Sequence, residues 1–158
     1  MRNITIAFML TVLSMTGCSK DSRPSDLPPL FPCEMTITQA ENPLAGASVS
    51  LVPLDEANTK YQASAVTDGN GRAVLVTYGF DGIPAGRYKV CVWKTVVEGV
   101  TQRTDKDGEL VASLGTDYRT VERRYADAKT TPHEVEISGK GGATKASFDV
   151  GKAIKEKQ

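Results

Sequence analysis

Histidine is almost absent from this chain of 158 residues: His133 is the only one. Mechanisms that need two imidazoles are thereby excluded, multi-histidine zinc sites among them. Trp93 is the single tryptophan and aromatics make up only 6% of the chain, so the interior must close over aliphatic side chains. Neither sign of charge is in excess, with 19 basic and 19 acidic residues. Without a basic surplus there is little to hold a phosphate backbone, so nucleic acid is not an expected partner. Apolar runs long enough to span a bilayer are also missing. The longest, Ile4 to Met15, is about 12 residues, where a hydrocarbon core asks for about 20.

What is present begins with an address. Met1-Arg2-Asn3 carries one positive charge, the short apolar run follows, and Thr16-Gly17-Cys18 closes it, which is the pattern of a secretion signal. The stretch Ser14-Met15-Thr16-Gly17-Cys18 resembles a bacterial lipobox, in which small residues precede a Cys that is acylated and becomes the new N-terminus; Met15 stands where Leu is usual. The resemblance implies that residues 1–17 are a lipoprotein signal peptide and that the lipid bilayer is a partner through acylated Cys18, since several acyl chains on one Cys hold a protein firmly. An ordinary signal peptide that leaves Cys18 a free thiol is the competing reading. Ser19 follows the Cys, and resemblance to enterobacterial lipoproteins then favours the outer over the inner membrane of the cell envelope. Residues 19–32 contain four prolines and few packing side chains, so 18–32 reads as a lipidated Cys with a water-exposed tether.

From Cys33 onward the period is two. Cys33, Met35 and Ile37 alternate with polar residues, as do Ala47, Val49 and Leu51, then Tyr61, Ala63 and Ala65. Thr67-Asp68-Gly69-Asn70-Gly71 supplies positive-φ positions and reads as a hairpin turn into a strand from Ala73 to Thr77. In Arg87–Lys94, Tyr88, Val90 and Val92 share one face, and Lys89, Cys91 and Trp93 share the other. Residues 98–118 lack sustained periodicity and read as an excursion with a short hairpin or helical turn. Glu134–Ile137 and Ala146–Val150, joined through Gly139-Lys140-Gly141-Gly142, read as a terminal hairpin, and the lysine-rich residues 151–158 as a flexible tail. Seven strands without an amphipathic helix give an all-β sandwich over residues 33–150.

The residues also carry a family pattern. Asn42 to Pro53 resembles the start of a carboxypeptidase regulatory-like domain, also called transthyretin-like or prealbumin-like. Thr67-Asp68-Gly69-Asn70-Gly71-Arg72-Ala73 is similar to that family's turn, and Ile83 to Val92 to its following strand, while Arg124 to Val135 resembles a segment of exported lipoproteins bearing such a domain. The resemblance implies a seven-stranded, immunoglobulin-like Greek-key sandwich acting as an accessory or cell-surface module, without catalytic residues or cofactors.

The chemistry-bearing residues fit that expectation. His133, after Pro132 at a strand edge, reads as a solvent-facing side chain, and no Gly-x-Ser-x-Gly elbow exists for a serine nucleophile. Asp105-Lys106-Asp107-Gly108-Glu109 superficially suggests a calcium loop but lacks the distant bidentate Glu, so it reads as an exposed turn and no metal is expected. Cys33 and Cys91 are an even pair in an oxidising compartment; a bridge would close a loop of about 58 residues and contribute roughly 4 kcal/mol, although alternation sets the two on opposite faces, and two separate thiols are the alternative. Trp93 is either buried under the 98–130 excursion or an aromatic platform for a sugar ring. Tyr78 and Phe80 are loop anchors or an exposed contact. Arg119, Arg123 and Arg124 with Glu122 read as a solvated mixed-charge face. The expected function is a non-enzymatic, membrane-anchored module with an unidentified protein or glycan partner; the alternative is a carbohydrate or cell-wall binder using Trp93 or the Tyr78–Phe80 loop.

Overall fold

The computed structural model describes residues 23–112 and 115–158. Cys18 and the signal segment lie outside the described residues. Seven principal strands form the body: β1 (Cys33–Gln39), β2 (Ser48–Pro53), β3 (Ala63–Val66), β4 (Arg72–Val74), β5 (Gly86–Trp93), β6 (Glu134–Ile137) and β7 (Thr144–Asp149). Alternation is what makes them strands. Cys33, Met35 and Ile37 of β1 are buried, and so are Val49 and Leu51 of β2 and Tyr88, Val90 and Val92 of β5, while the intervening residues of β1 and β2 are half-exposed.

The strands divide into two sheets. One runs β6-β5-β2-β3 and is extended by the short strands Val76–Thr77 and Phe80–Asp81. The other has β1 at its centre, flanked by β7 in parallel and by β4 and the short strand Asn42–Pro43 in antiparallel pairing. Successive strands β1 and β2 lie in different sheets, and β5 returns to lie beside β2, the crossing connectivity of a Greek-key sandwich. The core between the sheets is mainly aliphatic, with Tyr88 wholly buried in it and Tyr125 nearly so.

Both expected hairpins are corrected by this topology. The Asp68–Gly71 turn is formed, with the Asp68 Oδ1 accepting the backbone N–H groups of Asn70 and Arg72, each at 2.9 Å. Gly71, however, packs its bare Cα against β1, where a Cβ would stand 2.4 Å from the Ile37 carbonyl oxygen, and Ile37 N donates to the Gly71 carbonyl at 2.8 Å. The chain is thereby steered onto β1, and only Val76–Thr77 comes back to pair with Ser64 and Ala63. Likewise β6 pairs with β5 and β7 with β1, so the glycine turn between them crosses from sheet to sheet.

Two segments expected to be loose are docked. In the tether, Leu27 is buried, Leu30–Phe31 forms a ladder with Ile83–Pro84, and the Tyr61 hydroxyl donates to the Asp26 carbonyl at 2.5 Å. Its apolar residues at 27, 30 and 31 gain more from leaving water than proline-rich composition suggests. In the tail, Glu156–Lys157 pairs with Tyr118 and Arg119, completing an outer three-stranded sheet with Thr95–Glu98 and Thr116–Arg119. Gln102–Thr104 and Leu110–Ala112 form the short hairpin of the excursion.

The free edge of β5 is closed by irregular chain. Beyond its pairing with β6, the Thr131 hydroxyl donates to the Val90 carbonyl, Val90 N donates to the His133 carbonyl, and Thr120 N donates to the Lys94 carbonyl. Between these contacts sits a single helical turn, α1 (Arg123–Ala126), anchored by buried Tyr125.

Candidate functional site

The sandwich places the inward residues of β2, β3 and β5 in the core; of the residues on their outward surface, Trp93, Ser64 and Val66 are exposed, Ser48 and Ser50 half-buried and Cys91 covered. Register decides what that surface presents. Trp93 stands opposite Ser48, and Ser48 opposite Val66; in the next row Cys91 stands opposite Ser50, and Ser50 opposite Ser64. At about 4.8 Å between strands each row spans roughly 10 Å. Trp93 is 39% exposed and Val66 65%, so the expected burial of the indole under the excursion is corrected; β5 ends at Trp93, and after Lys94 the chain enters the outer sheet at Thr95. An indole next to serine side chains on a shallow floor offers an apolar stacking face and short hydroxyl donors and acceptors together. Sequence reading picked out Trp93; Ser48, Ser50 and Ser64 join it only through cross-strand register, although the alternation around Val49 already marks two of them as outward.

The Tyr78–Phe80 loop lies elsewhere. Its strand pairs with Ala63 and Ser64 at the far side of the sheet, with β2 and β3 between it and β5, and toward the opposite strand end from Trp93. Tyr78 has a φ of 53°, donates its hydroxyl to the Lys60 carbonyl, and meets Tyr61 edge-on with ring centroids 6.3 Å apart. Phe80 is half-buried. The Tyr78 hydroxyl anchors the loop while the residue stays 58% exposed, and the structure does not join Tyr78 or Phe80 to Trp93.

His133 is corrected from a solvent-facing residue to a packed one. Its ring stacks on Tyr125 at 5.2 Å with an interplanar angle of 16° and tilts against Phe148 at 4.9 Å. Its Nε2 lies 3.0 Å from the Asp149 carbonyl oxygen, which can only accept, so Nε2 carries the proton. Burial holds the imidazole pKa below its ordinary value.

Cys33 and Cys91 are both buried and both free, so the bridge is corrected to two separate thiols. The reason is the alternation: Cys33 points into the inter-sheet core with Met35 and Ile37, while Cys91 lies on the outward side of β5, opposite in sense to Val90 and Val92. Burial pushes the Cys33 thiol up to about 11, and burial together with the nearby Asp127 charge raises that of Cys91.

In the Asp105–Glu109 turn, the Asp105 Oδ1 accepts the backbone N–H groups of Asp107 at 2.9 Å and Glu109 at 3.0 Å, so the carboxylate is occupied by the turn itself. Among the described residues no group of three or more His, Cys, Asp or Glu side chains gathers for a metal ion, and no helix is long and apolar enough to cross a membrane. The arginine face is as the sequence reads, mixed in charge and exposed at Arg123 and Arg124, with Arg119 its more enclosed member. Arg119 is only 19% exposed and lies 3.5 Å from Glu156, while Arg124 pairs with Glu122 at 3.0 Å and stacks on Tyr125.

No family model matches the chain, and no curated protein matches it. Among solved structures it is similar to a candidate adhesin from Bacteroides ovatus, at 15% identity and a TM-score of 0.44, covering 93% of this chain and 50% of that one. It is also similar to BcpA, the major pilin subunit of Bacillus cereus, at 17% identity and a TM-score of 0.39, covering 83% and 31%. A 9R-lipoxygenase from Cyanothece matches at 15% identity and a TM-score of 0.38, covering 77% and 16%. The chain therefore spans half or less of the length of each of these three structures.

Proposed function

We propose that this chain is a non-enzymatic, exported binding module of the bacterial cell envelope, held to the outer membrane by lipid on Cys18 and presenting the Trp93 face to a glycan. The observation that carries the reading is the row Trp93–Ser48–Val66 with Ser50 and Ser64 behind it, an exposed ring and hydroxyl-lined floor on a rigid sheet. Stacking on an indole suits the apolar face of a sugar ring, and a preformed sheet surface spends little entropy on ordering.

The placement of the ends supports display. The chain enters the sandwich where Asp26 meets Lys60 and Tyr61, beside the Gly86 end of β5, whereas Trp93 lies at the other end, about 23 Å along the strand. A lipid on Cys18 would tie the Asp26 end to the membrane through eight residue steps, a reach of at most about 29 Å, with Trp93 at the far end of the sandwich. The carboxypeptidase regulatory-like resemblance is in keeping with an accessory module, and the one imidazole supports no catalytic role because its ring and its proton are both engaged in packing.

Titration of the full chain in detergent with soluble envelope oligosaccharides tests the contact face. Saturable change in Trp93 emission in the wild type, with calorimetric binding lost in Trp93→Ala, is the expected result; emission indifferent to every glycan overturns the reading. Labelled palmitate should enter the wild type and not Cys18→Ser, and equal labelling of both would remove the anchor.

A further inference from the structure

The outward side of the β5 edge holds an open cavity of about 410 Å³, lined by Arg119, Arg123, Arg124, Ala126, Asp127 and Thr130. Ordinary small-molecule clefts occupy roughly 300–1,000 Å³, so one sugar residue fits. Three arginines and one acidic residue, Asp127, are among its lining residues. Arg119 is held by Glu156, and Arg124 by Glu122 and by the Tyr125 hydroxyl at 2.9 Å, which fixes two walls. Arg123 is exposed, and among the described residues it makes no ion pair and no side-chain hydrogen bond. An arginine fork left free between two anchored arginines is suited to a planar anion that it can grip through two parallel N–H donors.

The cavity adjoins the Trp93 face. Arg119 stands opposite Thr95, two residues beyond Trp93, and Asp127 lies close enough to Cys91, two residues before it, for its charge to act on the thiol. Trp93 is the outward residue between those two positions. Resting on the reading of Trp93 as a glycan platform, we infer that the arginine cavity is a carboxylate subsite and that the ligand class is an acidic saccharide, a uronic-acid-type residue seated against Arg123 while its neighbour stacks on the indole. The neutral floor of Ser48, Ser50 and Ser64 distinguishes no charge, so discrimination between acidic and neutral glycans falls to this cavity.

The test pairs one oligosaccharide with its uncharged twin: an oligogalacturonate and the same chain fully methyl-esterified, titrated against the full protein in detergent. Wild type should bind the acid roughly tenfold more tightly than the ester, a preference erased in Arg123→Ala and weakened by salt. Trp93→Ala should weaken both ligands together. Equal affinity for acid and ester, with Trp93 still required, overturns the carboxylate subsite and leaves the platform standing. An acid preference that survives unchanged in Arg123→Ala also overturns it. Binding of neither ligand sinks the subsite and the glycan platform alike. Because Arg123 holds no partner, its substitution should leave the thermal midpoint unmoved, so lost binding reads as lost recognition.

Discussion

The two ends of the sandwich are built on opposite terms. At the Gly86 end polar groups are tied down: the Asp55 carboxylate accepts Arg87 N, the Asn58 amide donates to the Ala85 carbonyl, and the Tyr61, Tyr78 and Tyr88 hydroxyls donate to Asp26, Lys60 and Pro84 carbonyls. At the Trp93 end Val66, Val97 and Val100 remain exposed, and among the described residues Arg123 has no side-chain partner. One end is therefore where substitution should cost stability. The other is where it should cost recognition.

The sharpest way to break that contrast is a pair of ring deletions on one strand. Tyr88 is wholly buried, its hydroxyl is satisfied at 2.8 Å, and burial pushes its phenol up to about 12. Tyr88→Ala should lower unfolding stability by about 4 kcal/mol, the range of a large buried aromatic lost to a cavity. Trp93→Ala should cost about 1 kcal/mol or less while removing glycan binding measured by calorimetry. Urea denaturation of both variants measures the gap, and similar losses in the two would show that Trp93 is a core residue after all.

A second substitution tests the turn that diverts the chain between sheets. Gly71 has a φ of 73°, and a Cβ there would meet the Ile37 carbonyl oxygen at 2.4 Å, so Gly71→Ala combines left-handed strain with backbone collision. The expected loss is about 2–3 kcal/mol. Gly69 has nothing within 4 Å of an added Cβ, and Gly69→Ala in the same turn should be nearly silent.

This turn also shows how much the residues alone disclose. Alternation located the seven principal strands, because a half-buried strand must repeat every two residues, but it read Ala73–Thr77 as one strand where the structure splits it between two sheets, and it missed the outer sheet of Thr95–Glu98, Thr116–Arg119 and Glu156–Lys157. Partners were not legible: Asp-Gly-Asn-Gly specifies a reversal whichever sheet the chain enters next, and the choice rests on the contact of Gly71 with Ile37. Trp93 was legible as an outward residue by parity, but the arginine cavity was not, since it needs Arg119 from a strand and Arg123 to Thr130 from an irregular stretch to meet at the β5 edge. Leu27, Leu30 and Phe31 were the overlooked sign that the proline-rich segment packs.

A smaller effect is expected at Asp149, whose carboxylate ties β7 to the turn after β1. Its Oδ2 accepts the Thr38 hydroxyl at 2.8 Å and Glu41 N at 2.9 Å, and its Oδ1 accepts Gly151 N at 2.7 Å, which stabilises Ala40 and Glu41 at φ of 48° and 66°. The backbone N–H of Glu41, foremost among these donors, lowers the pKa from 3.8. A carboxylate lowered on folding adds stability above pH 3.8 and loses it as the pH falls through the folded value. Asp149→Asn should therefore be about 1 kcal/mol less stable at neutral pH, with the gap closing in acid. A gap that stays constant down to pH 2 would mean the charge is irrelevant to the turn.

The smallest expected effect concerns the thiols. Cys33 and Cys91 differ in which side of the β5 sheet they occupy, so no rotamer change brings their sulfurs together; that would require a strand to slip by one residue and turn its buried side chains outward. Reductant should accordingly leave the unfolding midpoint unchanged, and native protein should react with a thiol reagent at neither position, because both are buried and the Cys33 thiol, pushed up to about 11, holds almost no thiolate at neutral pH. A midpoint that drops with reductant would require the two sulfurs to be bonded and the β1 and β5 registers to differ from those described, which would also move Trp93 off the outward face.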